Sequence, residues 1–141
     1  LGPDIAHMEL DEAERDCFLE KECDRLEFDI SVIADYPLNL TVDADSRVHY
    51  RRVTLPDGSD AVLQRTWMLE PGDASVDWIQ LEQQYFLSAH LDQGDGARRI
   101  DTTWVKASLG DTPVPVDMAL ALTVDGMRET GANLEAYYDS Q

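Results

Sequence analysis

The sequence has few of the residues from which catalytic and metal sites are usually built. Histidine occurs 3 times and cysteine 2 times in 141 residues, and no serine lies in the nucleophile-elbow pattern of hydrolases. Gly94 and Gly96 lie between two predicted strands, whereas a phosphate-binding loop joins a strand to a helix. Two cysteines without suitably spaced partners do not form a zinc site. We therefore expect no catalytic residue, no metal ion and no cofactor.

Positive charge is scarce as well. The chain carries 29 acidic and 11 basic residues, for a formal net charge of −18, and only Lys21 and Lys106 are lysines. Such a field repels the phosphate backbone of nucleic acids, so nucleic acid is not an expected partner. No apolar run approaches the ~20 residues of a membrane-spanning helix, so no transmembrane segment is expected.

The chain is predicted to form a single domain. Residues 1–8 read LGPDIAHM, which looks like the remnant of a protease site and a cloning sequence, and they are left out of the fold prediction. Residues 9–141 contain no repeat, low-complexity tract or linker that would divide them. A chain of this length buries roughly two-thirds of its unfolded surface, which is enough for a sizeable core.

The two cysteines, Cys17 and Cys23, can pair only if the chain turns between them. In a continuous helix their side chains are too distant and too differently directed for a disulfide. A helix that ends near Glu20 allows the bond, which is credible in an exported protein, whereas cytosolic cysteines stay reduced. We narrowly favour the disulfide, and with it an exported location over a cytoplasmic one, although the sequence does not define the compartment.

Polar and apolar residues alternate over much of the chain between residues 26 and 110. In the clearest case, every second residue from Leu26 to Ala34 is apolar, which is the pattern of a half-buried strand. Pro56 and Gly58 indicate a turn, because proline presets φ and glycine accepts a positive φ. The sequence predicts a helix at 9–22, strands at 26–34, 38–42, 47–55, 61–69, 78–91 and 97–109, and turns at 56–59 and 93–96.

The last part of the chain has helical periodicity. Six residues follow one another at steps of four and three: Leu120, Val124, Met127, Gly131, Leu134 and Tyr138. This spacing places them on one stripe of a helix over 116–139, which has to bury that stripe against the sheet. The predicted fold class is α+β: a curved antiparallel sheet of about five to seven strands packed around a long C-terminal helix, with a short N-terminal helix.

Arg65 admits two interpretations. It shares a strand face with Leu63 and Trp67, so an arginine lies among large apolar groups. If this face is buried, Arg65 is the polar group of an apolar pocket, because an unpaired buried arginine is costly. If the face is turned to solvent, Val62 and Thr66 point inward instead. We slightly prefer the second interpretation.

Two stretches are similar to a known superfamily: VHYRRVTLPDGSDAVLQRTWML and GMRETGANLEAYYDS. They resemble the START-like (SRPBCC) helix-grip superfamily over about residues 45–139. Such domains place two short helices after their first strand, and residues 35–46 leave no room for them. Either helix 9–22 replaces them or this is a different α+β fold.

The resemblance implies a function: noncatalytic binding or transfer of a hydrophobic small molecule or lipid in a cavity between the sheet and the C-terminal helix. Arg65 would orient a polar head group. The other predicted ligand-binding residues are Trp67, Tyr85, Trp104, Leu120, Val124, Met127 and Leu134.

Two other functions stay open. The first is an exported acidic protein-interaction module with a solid core, which binds a protein through a sheet edge or a helix face. An apolar patch on the outer surface would favour it. The second is a cyclase- or hydrolase-like enzyme on the same scaffold, which would place His49 or His90 in a pocket. The sequence favours a noncatalytic function over an enzyme.

Overall fold

The computed structural model describes residues 4–36, 39–92, 96–111, 115 and 117. Its elements are β1 (Asp4–Glu9), α1 (Glu12–Leu19), β2 (Arg25–Tyr36), β3 (Leu40–Thr54), β4 (Asp60–Met68), β5 (Asp73–Ala74), β6 (Ile79–Asp92) and β7 (Ala97–Leu109). All seven strands belong to one antiparallel sheet with the order β1–β2–β3–β4–β6–β7, and the short β5 pairs with β3. Within the described ranges, no helix is long and apolar enough to cross a membrane.

The predicted fold class is wrong. The structure is mostly antiparallel sheet with one short helix in its described part, and not a sheet packed around a long C-terminal helix. The predicted helix over 116–139, with Leu120, Val124, Met127 and Leu134, lies outside the described residues except for residue 117. The helical spacing of a segment defines its apolar stripe but not the surface that this stripe contacts. The helical spacing of a segment could therefore not predict that the segment packs against the sheet.

Strand β3 is longer than the sequence indicated. The two strands predicted at 38–42 and 47–55 are one continuous strand of 15 residues. The intervening Asp43 and Asp45, which are typical of a loop, alternate with Val42 and Ala44 and pair with residues of β2. The Asp45 carboxylate also accepts a hydrogen bond of 2.6 Å from the hydroxyl of Ser31. Pairing with a neighbouring strand thus overrides the low strand propensity of aspartate.

The N-terminal part of the chain contributes to the sheet. Residues Asp4–Glu9 form β1 and pair with β2, with Met8 opposite Ile30, although all of them except Glu9 were left out of the fold prediction. Helix α1 is shorter than the predicted 9–22, because Glu9 belongs to β1 and the helix begins after Asp11. The Asp11 carboxylate caps it by accepting hydrogen bonds from two backbone amides. That residues 1–8 are a cloning remnant stays a prediction.

Strand alternation divides the sheet into two faces. We call the face that carries α1 the helix face. On it, the ring centroids of Phe18 in α1 and Tyr50 in β3 are 6.1 Å apart. Buried strand residues on this face are Leu26, Leu40, Val42, Ser46, Val48, Leu81 and Ser88. The opposite side is the open face. Among the strand residues that the structure describes, Ala61 alone is buried there.

The turns agree with the sequence where they are described. Gly58 has a positive φ of 85°, and its amide donates to the Leu55 carbonyl oxygen over 2.9 Å. β6 and β7 pair as an antiparallel hairpin, although most of its connecting turn, 93–96, lies outside the described residues. Cys17 and Cys23 form a disulfide with a Cα–Cα distance of 5.3 Å. The chain leaves the helix at Glu20, which provides the turn that this bond requires.

Replacing both cysteines by serine is expected to lower the free energy of unfolding by about 2 kcal/mol, because the bond closes a short loop in the unfolded chain. Urea denaturation with and without reductant measures the change. Intact-mass measurement of the alkylated wild type is the control. A wild type that takes up alkylating reagent without reduction would contradict the bond.

Two leucines of β6 test the assignment of the faces. Leu81 is 8% exposed on the helix face, whereas Leu87 is 45% exposed on the open face. Leu81→Ala should destabilise the protein by about 2 to 3 kcal/mol through the cavity that it leaves. The matched Leu87→Ala should change stability by less than about 0.5 kcal/mol. Equal losses of stability in urea denaturation would show that the faces are assigned incorrectly.

Candidate functional site

Three aromatic side chains form a row across the open face. Trp67 of β4 lies opposite Tyr85 of β6, and Tyr85 lies opposite Trp104 of β7. The Trp67 and Tyr85 rings are nearly parallel, with centroids 6.4 Å apart and an interplanar angle of 23°. Trp104 is 54% exposed. We call Trp67, Tyr85 and Trp104 the aromatic row.

A second row on the same face is aliphatic. Leu63, Ala89 and Ile100 are consecutive register partners across β4, β6 and β7, and Leu87 lies between this row and the aromatic row. Leu63 and Ile100 are 42% and 49% exposed. These four residues are named the aliphatic patch. Together with the aromatic row it forms a contiguous apolar surface that no described element covers.

Arginines border this surface on the side of β3. Arg25 and Arg51 lie directly opposite each other, and Arg51 in turn lies opposite Leu63. Arg65 lies opposite His49, and its guanidinium is 4.7 Å from the centre of the Trp67 ring. We call Arg25, Arg51 and Arg65 the arginine cluster.

His49 lies within the arginine cluster. The Nε–H group of Arg65 donates a hydrogen bond of 3.0 Å to His49 Nδ1, so the imidazole is neutral and acts as an acceptor there. Partial burial lowers the pKa of His49 below its ordinary value, and the neighbouring Arg65 lowers it further. Arg25 and Arg51 act in the same direction, while Glu27 opposes them. The neutral imidazole therefore fits a site that is already positively charged.

Acidic residues are absent from this part of the open face, although the chain contains 29 of them. The residues that alternate onto the open face between Ala61 and Trp67, Gln83 and Leu91, and Arg98 and Lys106 include no aspartate or glutamate. Two acids border it: Glu82, at the irregularity in β6, is paired with Lys106, and Glu27 of β2, opposite His49, is paired with Arg47. The surface is therefore apolar and cationic on a strongly acidic protein.

The structure brings together all four strand residues that the sequence placed in a ligand site. Arg65, Trp67, Tyr85 and Trp104 are neighbours on the open face, in agreement with the preferred interpretation that the Arg65 face is turned to solvent. The four helix residues of that predicted site lie outside the described residues. Arg25 and Arg51 were not predicted as site residues, and His49 was named only for the enzyme alternative, because the proximity of the three to Arg65 depends on strand register.

Grooves among the described residues are small. The larger of the two best-formed ones has a volume of about 200 Å³ and is lined by Lys21, Arg52 and His90, among others. The second, near Ser31 and Asp45, has a volume of about 160 Å³. Pockets for small organic ligands are usually larger than ~300 Å³. Neither of these two grooves therefore reaches the usual size of a site for a small organic ligand.

His90 lies beside a serine in an arrangement that superficially matches a catalytic pair. Ser88 Oγ is 3.1 Å from His90 Nε2. Burial lowers the pKa of His90, Arg99 lowers it further and Asp101 opposes this. However, Ser88 is only 3% exposed and does not line the groove that His90 borders. A substrate could not reach its hydroxyl, so this hydrogen bond is best explained as a structural one.

No cluster of three or more potential metal ligands exists in the ranges that the structure describes. Comparison of the chain with protein-family models, curated proteins and solved structures gives no match in any of the three. The START-like resemblance accordingly stays a prediction from sequence. The site has to be interpreted from its own geometry.

Acidification should destabilise the protein through His49. Because the folded state lowers the pKa of His49, the unfolded chain binds more protons below the ordinary pKa of 6.5. The contribution of His49 to the free energy of unfolding is therefore fully present above the ordinary pKa and is lost as the pH falls toward the lowered pKa of the folded state. The His49→Gln side chain can still accept the hydrogen bond from Arg65 but does not titrate. It should therefore reduce the slope of the unfolding free energy against pH over about two pH units, from 7 to 5.

The control is His7→Gln, since the His7 side chain is 65% exposed and distant from the arginine cluster. His90, whose pKa is lowered as well, should account for a remaining part of the slope. Identical slopes for the wild type and His49→Gln in urea denaturation would show that His49 is not held neutral by the fold.

Proposed function

We infer that this protein is a noncatalytic protein-interaction module and that it binds its partner through the open face of β4, β6 and β7. The observation that carries this inference is the exposure of four large apolar side chains on one side of the sheet, namely Leu63, Leu87, Ile100 and Trp104, beside the half-buried Trp67 and Tyr85. Contiguous apolar surfaces of this kind are uncommon on monomeric proteins outside interaction sites. No described element covers this sheet face, and a broad face fits a protein partner better than a small molecule, which usually binds in a cleft or cavity.

The composition of the face supports the same function. Interface centres are enriched in tryptophan, tyrosine and arginine and poor in acidic residues. The open face of β4, β6 and β7 has this composition, with two tryptophans and one tyrosine next to Arg65. Exposed aromatic side chains lose little conformational freedom on binding, since they have only two χ angles. They are thus suitable anchors for a partner.

Each of the two other functions has less support. The ligand-cavity hypothesis depends on Leu120, Val124, Met127 and Leu134, which lie outside the described residues, and it stays a prediction. The enzyme hypothesis has His90 at a groove in its favour. Its neighbouring serine hydroxyl is buried and does not line that groove. Protein interaction is the function that the exposed surface supports best.

Site-specific photocrosslinking tests the function. A benzoylphenylalanine at Leu87, on the open face, should crosslink to a discrete partner in extracts of the source organism. The control position is Val105, which lies on the helix face and is exposed to a similar extent, 42% against 45%. The partner identified from Leu87, once purified, should bind the wild type saturably and bind Trp104→Ser at least about tenfold more weakly.

Crosslinks that are equally frequent from both positions, or a purified partner whose affinity is unchanged by Trp104→Ser, would contradict the proposed function. Circular dichroism of each variant establishes that the fold is retained. Trp104 is suited to this purpose because more than half of its surface is exposed.

A further inference from the structure

We propose that the partner binds the open face with an acidic segment, whose carboxylate is held by the arginine cluster while adjacent apolar side chains cover the aliphatic patch. This inference rests on the proposed function, because it specifies the chemistry of the partner at the same face. It is carried by the position of three neighbouring arginines beside the apolar surface, none of which has a carboxylate partner among the described residues.

Three other arginines of the described ranges, Arg15, Arg47 and Arg99, pair with carboxylates. Arg47 donates two hydrogen bonds to the Asp29 carboxylate, over 2.7 and 3.0 Å. Arg99 pairs with Asp101 over 2.8 Å. By contrast, no described residue provides a carboxylate within salt-bridge distance of the arginine cluster. The three neighbouring arginines beside the apolar surface therefore lack a carboxylate partner among the described residues, in a chain that contains 29 acidic residues.

The arginine cluster is also electrostatically unfavourable by itself. Arg25 and Arg51 are directly opposite each other on adjacent strands, and like charges in this position repel. Arg65 lies on the neighbouring strand, two register pairs from Arg51 and on the same face. A bound carboxylate would relieve this repulsion. Binding an anion is therefore more favourable here than at an isolated surface arginine.

Arg65 is oriented for this role. Its Nε–H group donates to His49 and its guanidinium stacks on Trp67, so less side-chain freedom remains to be lost on binding. Its terminal nitrogens have no hydrogen-bond partner within the described ranges. Those nitrogens can donate to both oxygens of one carboxylate, the geometry for which arginine is especially suited.

The geometry favours a peptide over other anionic molecules. Arg51, Leu63, Ala89 and Ile100 are register partners in a row across four neighbouring strands. A charged position is thus followed by aliphatic positions, each ~4.8 Å from the next. A peptide presents carboxylates and aliphatic side chains at similar intervals, whereas a nucleic acid has no aliphatic groups. A membrane surface would also meet Asp43 and Asp45, which lie on the same face of β3 and repel anionic lipids.

A peptide selection tests this inference. Random twelve-residue peptides are displayed and selected against the full-length wild-type chain, and the enriched peptides are then synthesised and titrated in solution. Enriched peptides should contain aspartate or glutamate next to aliphatic or aromatic residues. Arg51→Glu/Arg65→Glu should weaken their binding at least about tenfold, and Arg65→Lys, which keeps the charge but loses the two-pronged geometry, by a smaller factor.

Arg15→Glu is the matched control, because it makes the same charge change as each of the two reversals. Arg15 lies on α1, away from the open face, and already pairs with Asp16. This variant should leave the affinity unchanged. Circular dichroism and thermal unfolding of all variants ensure that a loss of binding is not a loss of fold. The milder Arg65→Lys keeps the test decisive if the double reversal does not fold.

The outcomes separate the two claims. Apolar peptides that bind the double reversal normally but lose affinity for Trp104→Ser would overturn the acidic segment and leave the interaction module intact. Peptides insensitive to every open-face variant, or no enrichment at all, would overturn both claims. Arginine-dependent binding of an oligo-dT strand, of phosphatidylserine vesicles or of a second copy of the chain, without enrichment of acidic peptides, would also overturn the acidic segment.

Discussion

The structure depends on the register of β3 against its two long neighbours. Twelve residues of β3 pair with β2 and nine pair with β4, and every face assignment follows from these pairs. A slip by one residue would exchange the two faces of a strand. The hydrogen-bonded ion pair of Arg47 with Asp29 joins directly opposed residues of β3 and β2. Together with the backbone hydrogen bonds between β2 and β3, this ion pair therefore favours the observed register over registers shifted along the strand.

The same register produces two chemically different surfaces. On the helix face, Leu40, Val42 and Leu81 form a buried cluster against which Met68 packs. On the open face, the strands from β1 to β3 carry charged residues, while β4, β6 and β7 carry the aromatic row and the aliphatic patch. Burial of apolar surface stabilises a fold by ~25 cal/mol per Å². Apolar groups left exposed on one side contribute little to that stability, which is why a binding function is the better explanation of them.

Much of the sheet could be predicted from the sequence, because strand alternation is a local signal. Leu26 to Ala34 is a strand as predicted, and so are the two strands that flank Gly58. Strand β3 was divided incorrectly, since Asp43 and Asp45 resemble loop residues unless their pairing with β2 is known. The fold class was wrong because helical spacing over 116–139 does not identify what the segment contacts. The arginine cluster could not be predicted either, since Arg25 and Arg65 are joined only through the register of three strands.

The central claim is that β4, β6 and β7 present an exposed apolar face while the other side of the sheet holds the core. Hydroxyl-radical footprinting read by mass spectrometry measures this directly, residue by residue, on the unmodified protein. The exposed Trp104, Leu87 and Leu63 should be modified rapidly, and the buried Leu81 and Val48 slowly. Slow modification of Trp104 and Leu87 in the isolated, monomeric protein would contradict it.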